Sequence, residues 1–235
     1  MIKFENTEVV GWEAALRGMR NPKNSWNKSD SRECARDGSF CSECTHRGAY
    51  CIGPKDHKLA MMLRNAGTDH RKFMRMIAVY VDITAPMFWW KEFDTYKVGT
   101  VRDSCSTMHT IYVKPFTPDM FSHEGIDAVG DRVERHFYDT LVTLNWLRNR
   151  FNETHDKTYW RALIELLPDG FNMKATVMLN YEVIANAVKP GSRRNHKLLE
   201  WNIHADGSFC QWAKSLPYSE LIFGEDEVED NGQSK

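Results

Sequence analysis

The alternation of apolar and polar residues before Pro86 is the feature that most constrains the fold of this chain. Four β-branched residues recur at every second position: Ile77, Val79, Val81 and Ile83. This is the spacing of side chains on one face of a β-strand. Proline removes a backbone donor, so Pro86 ends the pattern. The alternation predicts a strand that finishes near residue 86.

Shorter patterns on both sides of this strand predict the other elements of the first half. We expect a strand in IKFENTEVVG, a helix in WEAALRGMR and a helix in KDHKLAMMLRNAG that ends at Gly67. After Pro86, MFWWKEFDTYKV is expected to be helical, with Trp89 and Trp90 in the core, and TMHTIYVKPF to return to extended structure.

The second half of the chain has mainly helical periodicity. Apolar residues fall near one face of a helix over residues 131–151, and further helices are expected over 157–167 and 172–188. Strands in the first half and helices in the second predict an α+β fold, with a single domain over residues 1–223. The acidic residues 224–235 predict a disordered tail.

Charge and hydropathy exclude several function classes. The net charge is −1, so no global field favours nucleic acid or a membrane surface as a partner. No apolar run approaches the roughly 20 residues that cross a bilayer, and the N-terminus lacks the pattern of a signal peptide. We therefore expect a cytoplasmic protein that binds neither membrane nor nucleic acid.

A cysteine-rich insertion is expected at about residues 27–56, where the composition is typical of a loop. Its cysteines are spaced x6, x2 and x6 and are candidate metal ligands: Cys34, Cys41, Cys44 and Cys51. Four thiolates can close a tetrahedral zinc site, and His46 or His57 could replace one of them. Four independent thiols, an iron–sulfur cluster and a redox disulfide are the alternatives. A zinc site here would be structural rather than catalytic.

The stretch FDTYKVGTVRDSCSTMH, residues 93–109, concentrates polar and nucleophilic side chains directly after a core element. Lys97 and Arg102, with the nearby hydroxyl groups, could hold a phosphate through charge-assisted hydrogen bonds. Gly99 permits a tight turn and a close approach to a ligand. Cys105 has basic neighbours that would lower the pKa of a nucleophilic thiol. The alternatives are a solvated loop and a small, buried, inert cysteine.

Two stretches, His70–His109 and Leu167–Asn186, resemble the flavin-dependent thymidylate synthases. The matching positions keep one register without gaps within each stretch: His70, Pro86, Asp103 for a family glutamate, Leu167–Pro168, Asn180 twelve residues after Pro168, and Asn186. Other positions differ from the family: Glu92 for a glutamine, Thr95–Tyr96–Lys97 for an Arg-His-Arg triplet, Cys105 for a serine, Thr107 and Glu182 for arginines, and Gly191 for an arginine near Arg193 and Arg194.

The resemblance implies a homotetramer that binds FAD, a pyrimidine nucleotide (dUMP), a folate methylene donor and NADPH, and converts dUMP to dTMP. It assigns the flavin to Tyr96, Lys97, Asn180 and Asn186. It assigns the nucleotide to Glu92, Arg102, Asp103, Ser106, Arg193 and Arg194. His70 and Cys105 are the candidate catalytic residues, Cys105 by contact with the nucleotide rather than by covalent attack.

Blander interpretations of the same residues stay open. His70 could be a surface histidine, and Arg193 and Arg194 could be an exposed basic pair. The chain could be a non-catalytic nucleotide-binding protein, such as a viral sensor or sequestering protein. It could also be a related enzyme that acts on another pyrimidine nucleotide.

Overall fold

A computed structural model describes residues 2–34 and 50–224 of the chain. The strands are β1 (Lys3–Val10), β2 (Ala78–Pro86), β3 (Val101–Ser104) and β4 (Asn172–Asn180). They form a four-stranded sheet in the order β1-β2-β4-β3. Helices accompany this sheet, and the prediction of an α+β fold is confirmed.

The helices of the first half are α1 (Trp12–Arg20), α2 (Pro54–Asn65), α3 (Met87–Phe93) and α4 (Thr107–Thr110). Those of the second half are α5 (Glu124–Asp127), α6 (Asp131–Thr154), α7 (Lys157–Leu166), α8 (Tyr181–Val188), α9 (Phe209–Lys214) and α10 (Glu220–Phe223). Short 3₁₀ helices span Asn21–Lys23, Trp26–Lys28, Arg71–Met76 and Pro118–Met120. In the part of the chain that the structure describes, no helix combines the length and apolar character that a membrane crossing requires.

The chain forms two compact units. Unit 1 contains Asp82–Thr95 and Arg102–Thr176 together with the first residues of β1. Unit 2 contains Glu5–Val81, Tyr96–Val101 and the residues from Val177 onward. The polar stretch 93–109 therefore contributes residues to both units.

The core of unit 1 is built on the long helix α6. Its buried residues recur at helical spacing and lie on one face: Phe137, Leu141, Leu144 and Leu147. They form an apolar cluster with Leu163 of α7 and with the aromatic residues Phe116, Phe121 and Phe171. The amphipathic pattern read from the sequence thus places α6 correctly.

The core of unit 2 includes the apolar face of β2. Ile77, Val79 and Val81 are buried, as the alternation predicts. Trp12 of α1 makes edge contacts with two tyrosines, at ring-centroid distances of 5.2 Å to Tyr181 and 5.3 Å to Tyr218. In unit 1, Ile83 continues the buried alternation, and Trp89 and Trp90 are buried, so their predicted place in the core is confirmed.

A buried ion pair fixes the start of α2 in unit 2. Arg20 Nε donates to Asp56 Oδ1 at 2.6 Å, and both side chains are almost fully buried. The other carboxylate oxygen accepts from the hydroxyls of Ser29 and Ser31, each at 2.6 Å, and from the backbone N–H groups of Asp30 and Ser31. The loop before residue 34 is therefore tied to α1 and α2.

Two predicted elements are wrong. Residues 172–188 do not form one helix, because 172–180 form β4 and the helix begins at Tyr181. Alternate residues of β4 are buried, namely Ala175, Val177 and Leu179, so sheet pairing overrides the helix propensity of this segment. Residues 107–116 do not return to a strand, because a turn of helix, α4, follows β3 directly.

Two predicted boundaries also move. The helix after Pro86 ends at Phe93 instead of continuing to residue 98, and the backbone N–H of Asp94 closes it by donating to Trp90 O at 2.9 Å. The segment directly before β2, where the sequence begins to resemble a strand, is instead a 3₁₀ helix over Arg71–Met76. The strand therefore begins only at Ala78. Helix α2 ends at Asn65. Gly67, two residues later, has φ +103°, as expected of a glycine that follows the C-terminus of a helix.

Candidate functional site

The predicted site residues in unit 1 lie on α3, on β3 and directly after β3. Arg102 is held by two contacts: its Nη1 lies 3.0 Å from Asp94 Oδ1, and its guanidinium carbon lies 5.0 Å from the centre of the Trp90 ring. Trp90 is itself fixed, since its indole N–H donates to the carbonyl oxygens of Ala85 and Met173. Arg102 is thus an oriented cation that shares its charge with Asp94.

Cys105 and Ser106 form the junction between β3 and α4. The backbone N–H of Cys105 donates to Lys174 O at 2.9 Å, which continues the pairing of β3 with β4. The Cys105 side chain is exposed, so the alternative of a buried, inert cysteine is wrong. Ser106 precedes the first residue of α4, and its carbonyl accepts from the Thr110 hydroxyl at 2.7 Å. Asp103 is exposed, and Glu92 is partly buried.

In unit 2, the turn that follows Tyr96 and Lys97 contacts the start of α8. The Asn180 side chain caps α8 by accepting from Val183 N at 3.0 Å, and its Nδ2 lies 3.4 Å from Gly99 O. Gly99 has φ +78°, and a Cβ there would lie 2.8 Å from Asn180 Nδ2. This close approach requires glycine. The structure thus brings together the predicted turn at Gly99 and the motif position Asn180, which are 81 residues apart in sequence.

The side chains of Tyr96 and Lys97 differ in their surroundings. The Tyr96 hydroxyl lies 3.2 Å from Ser192 Oγ, and the Tyr96 ring lies 6.1 Å from that of Trp201. Lys97 is exposed and has no ion-pair partner among residues 2–34 and 50–224. The adjacent Thr100 hydroxyl is buried and has no hydrogen-bond partner within the same residues. This segment therefore offers unused polar groups to a ligand.

His70 and Asn186 lie near residues that the sequence did not single out. His70 is exposed and precedes the 3₁₀ helix Arg71–Met76. Arg71 Nη2 donates to Asn186 Oδ1 at 3.0 Å, and Arg71 Nε lies 3.4 Å from the buried carboxylate of Glu182. Arg75 also pairs with Glu182, and this contact raises the pKa of the Arg75 guanidinium. The carboxylate of Glu182 in the apolar helix YEVIANAV is a sequence signal that could have pointed to a cationic partner.

Arg193 and Arg194 follow α8 in unit 2. The backbone N–H of Arg193 donates to Ala187 O at 2.9 Å, and Arg194 O accepts from Ile203 N at 2.9 Å. Both residues are partly buried. These hydrogen bonds fix their backbone beside the C-terminal end of α8, the helix that Asn180 caps and that carries Asn186.

The cysteine segment is described only at its two ends. The Sγ atoms of Cys34 and Cys51 lie 2.9 Å apart. Reciprocal backbone hydrogen bonds of 2.9 Å between Arg32 and Cys51 hold these ends together. Cys41, Cys44 and His46 lie outside the described residues, and His57 is bonded to Glu220. Within the described ranges, no group of three or more metal-ligating side chains occurs.

A cavity of about 320 Å³ lies in unit 1, away from the predicted residues. Its lining includes charged and amide side chains: Lys3, Asp119, Glu124 and Asn172. None of the residues assigned from the sequence lines it. The candidate site is therefore defined by the contacts of the motif residues and not by this cavity.

No protein-family model and no curated protein matches the chain. Solved structures do match it. Thymidylate synthase X (ThyX) from Helicobacter pylori, crystallised with FAD and dUMP, aligns over 97% of this chain and 98% of its own, at TM-score 0.61 and 15% identity. A second structure of that enzyme with FAD and dUMP aligns over 96% and 98%, at TM-score 0.62 and 16% identity.

The UMP/dUMP methylase PolB from Streptomyces cacaoi, bound to 5-Br dUMP, aligns over 95% of each chain at TM-score 0.59 and 13% identity. The chain has the fold of the flavin-dependent thymidylate synthases. The fold that the sequence resemblance implies is therefore confirmed. In this thymidylate synthase fold, Asn180 and Gly99 are in contact, as described above.

Proposed function

We propose that the protein binds FAD and a pyrimidine nucleotide and methylates dUMP to dTMP, with a folate as carbon donor and NADPH as reductant. The observation that supports this most is the contact between Gly99 and Asn180. It joins the turn that follows the altered triplet to the residue that caps α8, the helix that carries Asn186. Solved relatives of this fold that cover nearly the whole chain are crystallised with FAD and dUMP.

The polar groups of unit 2 fit an anionic dinucleotide. Lys97 is an exposed cation, and the buried Thr100 hydroxyl has no hydrogen-bond partner in the described chain. Lys97 would hold flavin phosphate, and the Asn180 amide would keep the Gly99 turn in place beside it. When bound, the flavin supplies the redox and carbon-transfer chemistry.

The nucleotide residues of unit 1 have a positioning role in this proposal. Arg102, oriented by Asp94 and Trp90, would hold the nucleotide phosphate through charge-assisted hydrogen bonds. Asp103 would accept a hydrogen bond from the base or sugar, and the Ser106 hydroxyl would donate one to it. Cys105 is exposed and would contact the pyrimidine ring. In unit 2, considered by itself, Arg193 and Arg194 would bind a nucleotide phosphate.

A second candidate is a methylase of another pyrimidine nucleotide. The similarity in fold to an enzyme that is described as a UMP/dUMP methylase favours it. A third is a nucleotide-binding protein without catalysis, which the replacement of the Arg-His-Arg triplet by Thr95–Tyr96–Lys97 favours. A lysine amine offers fewer and less rigid donors than arginine guanidinium groups.

The visible absorption spectrum of the purified protein tests these proposals first. The protein is mixed with FAD, excess flavin is removed on a desalting column, and the retained flavin band is measured. A retained band that Lys97→Ala abolishes supports the synthase. Turnover of dUMP against UMP then separates the two enzymes. A colourless protein that still binds dUMP rules out both and supports the binding protein.

We also propose self-association, since the resemblance implies a homotetramer. Three large side chains on α6 are exposed at helical spacing: Tyr138 (46%), Val142 (69%) and Trp146 (54%). Residues at i, i+4 and i+8 share one helix face. A neighbouring subunit would cover this apolar stripe. Light scattering on the eluting protein measures the mass of the assembly.

A further inference from the structure

Glu182 reverses a charge at the start of α8. The resemblance places an arginine at this position, and the chain has a carboxylate there. The Glu182 side chain is only 8% exposed. A buried carboxylate is costly unless cations and hydrogen bonds satisfy it. Arg71 and Arg75 satisfy it from the 3₁₀ helix that precedes β2.

Arg71 and Arg75 give the surroundings of Glu182 a net positive charge. Arg71 and Arg75 carry two charges, and Glu182 neutralises one of them. Asp69 adds a negative charge near Arg75, and the exposed Lys72 adds a positive one. The sum of these five charges is one positive charge, and the arginine that contacts Asn186 is Arg71. The positive charge that the family carries on α8 is thus supplied here by a different element.

Arg71 makes two contacts with α8 and still has unused hydrogen-bond donors, unlike an arginine whose donors are all used in linking two helices. Glu182 and Asn186 are four residues apart on α8 and hold one guanidinium at two of its nitrogens, Nε and Nη2. A guanidinium has five N–H donors. Two are used by these contacts, which leaves three without a partner in the described chain. The side chain is 18% exposed, so the unused donors belong to a fixed group with access from outside.

We infer that Arg71, oriented by Glu182 and Asn186, is an anion-binding residue for a nucleotide phosphate, and that it replaces cationic groups missing from the altered triplet and from α8. The planar fork of a guanidinium matches two phosphate oxygens. Arg75 contributes charge at the exposed side of the same carboxylate. This inference rests on the proposed function, which supplies the phosphate as part of FAD or of dUMP.

Paired ligands with and without phosphate test this assignment. Dissociation constants are measured for FAD against riboflavin and for dUMP against deoxyuridine, in the wild type, Arg71→Gln, Arg71→Lys and the control Arg161→Gln. Arg161 pairs with Glu165 on the exposed surface of α7. Arg161→Gln therefore makes the same chemical change as Arg71→Gln at a position outside the proposed site. The melting temperature of each variant is measured alongside.

Loss of a charge-assisted hydrogen bond predicts that Arg71→Gln weakens the phosphate ligand about 10- to 100-fold. Riboflavin and deoxyuridine should keep their affinity, and Arg161→Gln should behave as the wild type. Arg71→Lys keeps the positive charge but lacks the planar guanidinium, so its affinity for the phosphate ligand should fall by a smaller factor. Because Lys retains the pairing with Glu182, this variant also gives a readout if Arg71→Gln does not fold. The pair that responds, FAD or dUMP, identifies the source of the phosphate.

Three results separate failure of this inference from failure of the proposed function. If the wild type binds FAD or dUMP and neither Arg71 variant changes that affinity, the inference is wrong and the proposed function stands. If the wild type binds neither, the proposed function fails, and inorganic pyrophosphate is used as the probe. If the wild type binds pyrophosphate and Arg71→Gln does not, the inference that Arg71 binds an anion is supported. If the wild type does not bind pyrophosphate, that inference is refuted.

Discussion

Replacing Asp56 tests whether the buried ion pair holds the first part of unit 2 together. The carboxylate is fully buried and accepts five hydrogen bonds, from Arg20 Nε, two serine hydroxyls and two backbone N–H groups. Asp56→Ala leaves the Arg20 charge buried without its partner, which costs about 3–5 kcal/mol. That is a large part of the roughly 5–15 kcal/mol that stabilises a whole domain.

Asp56→Asn keeps the shape of the side chain and removes its charge. The amide can still accept some of the hydrogen bonds, so we expect a loss of about 2–3 kcal/mol at neutral pH. The control is Glu13→Gln on α1, which breaks an exposed pair with Arg17 and should cost no more than about 0.5 kcal/mol. Urea unfolding followed by circular dichroism gives the free energy of unfolding of each variant.

The effect of Asp56→Asn should depend on pH. Burial raises the pKa of Asp56, but hydrogen bonds from Ser29, Ser31 and Arg20 and the Arg20 charge lower it further, so the net shift is downward. A carboxylate with a lowered folded-state pKa stabilises the protein above the unfolded pKa of about 3.9. That contribution disappears as the pH falls through the folded-state value. The difference between wild type and variant should therefore shrink below about pH 4, by at most about 1.4 kcal/mol per pH unit.

Two outcomes would refute this reasoning. One is an Asp56→Asn protein as stable as Glu13→Gln at neutral pH, which would mean that the buried contacts contribute nothing. The other is a stability difference that stays constant down to pH 3, because the carboxylate would then not be the titrating group.

Three further predictions concern the turn, the cysteines and the surface. Gly99→Ala should abolish flavin retention in the desalting assay, because a positive φ costs a side chain about 1–2 kcal/mol and the new Cβ meets Asn180. Gly125→Ala, where nothing lies within 4 Å of the new Cβ, is its control. A zinc site at the cysteines predicts one zinc per chain in elemental analysis and a lower melting temperature for Cys34→Ser; an unchanged metal content and melting temperature would exclude it. Trp146→Glu should lower the mass measured by light scattering if the α6 stripe lies in a subunit interface, and an unchanged mass would place the interface elsewhere.

The elements that the sequence predicts well are those whose signal is local. The β2 alternation and the α6 amphipathic face each repeat within one element, and burial against the core preserves both. Strand β4 was missed because its alanine, methionine and leucine residues favour a helix, and its strand conformation depends on pairing with β2 and β3. Propensity cannot include partners that are distant in sequence.

The candidate site divides in the same way. The register of the motif predicts Asn180, and glycine's backbone freedom predicts a turn at Gly99. The structure brings these two residues into contact. Arg71 was missed because its partners are 111 and 115 residues away in sequence. A carboxylate in an apolar helix is a sequence signal for a cationic partner, but no partner was inferred from it. The identity of that cation required the fold.

The substitutions in the motif are therefore connected rather than independent losses. Considered alone, Glu182 would repel a phosphate from the start of α8, and Thr95 and Tyr96 would leave Lys97 as the remaining cation of the triplet. With Arg71 and Arg75 opposite it, Glu182 instead orients a guanidinium whose unused donors have access from outside. A charge reversal that two arginines compensate leaves a net positive charge next to the start of α8, so Glu182 and the loss of arginines from the triplet do not by themselves remove the means of binding a phosphate.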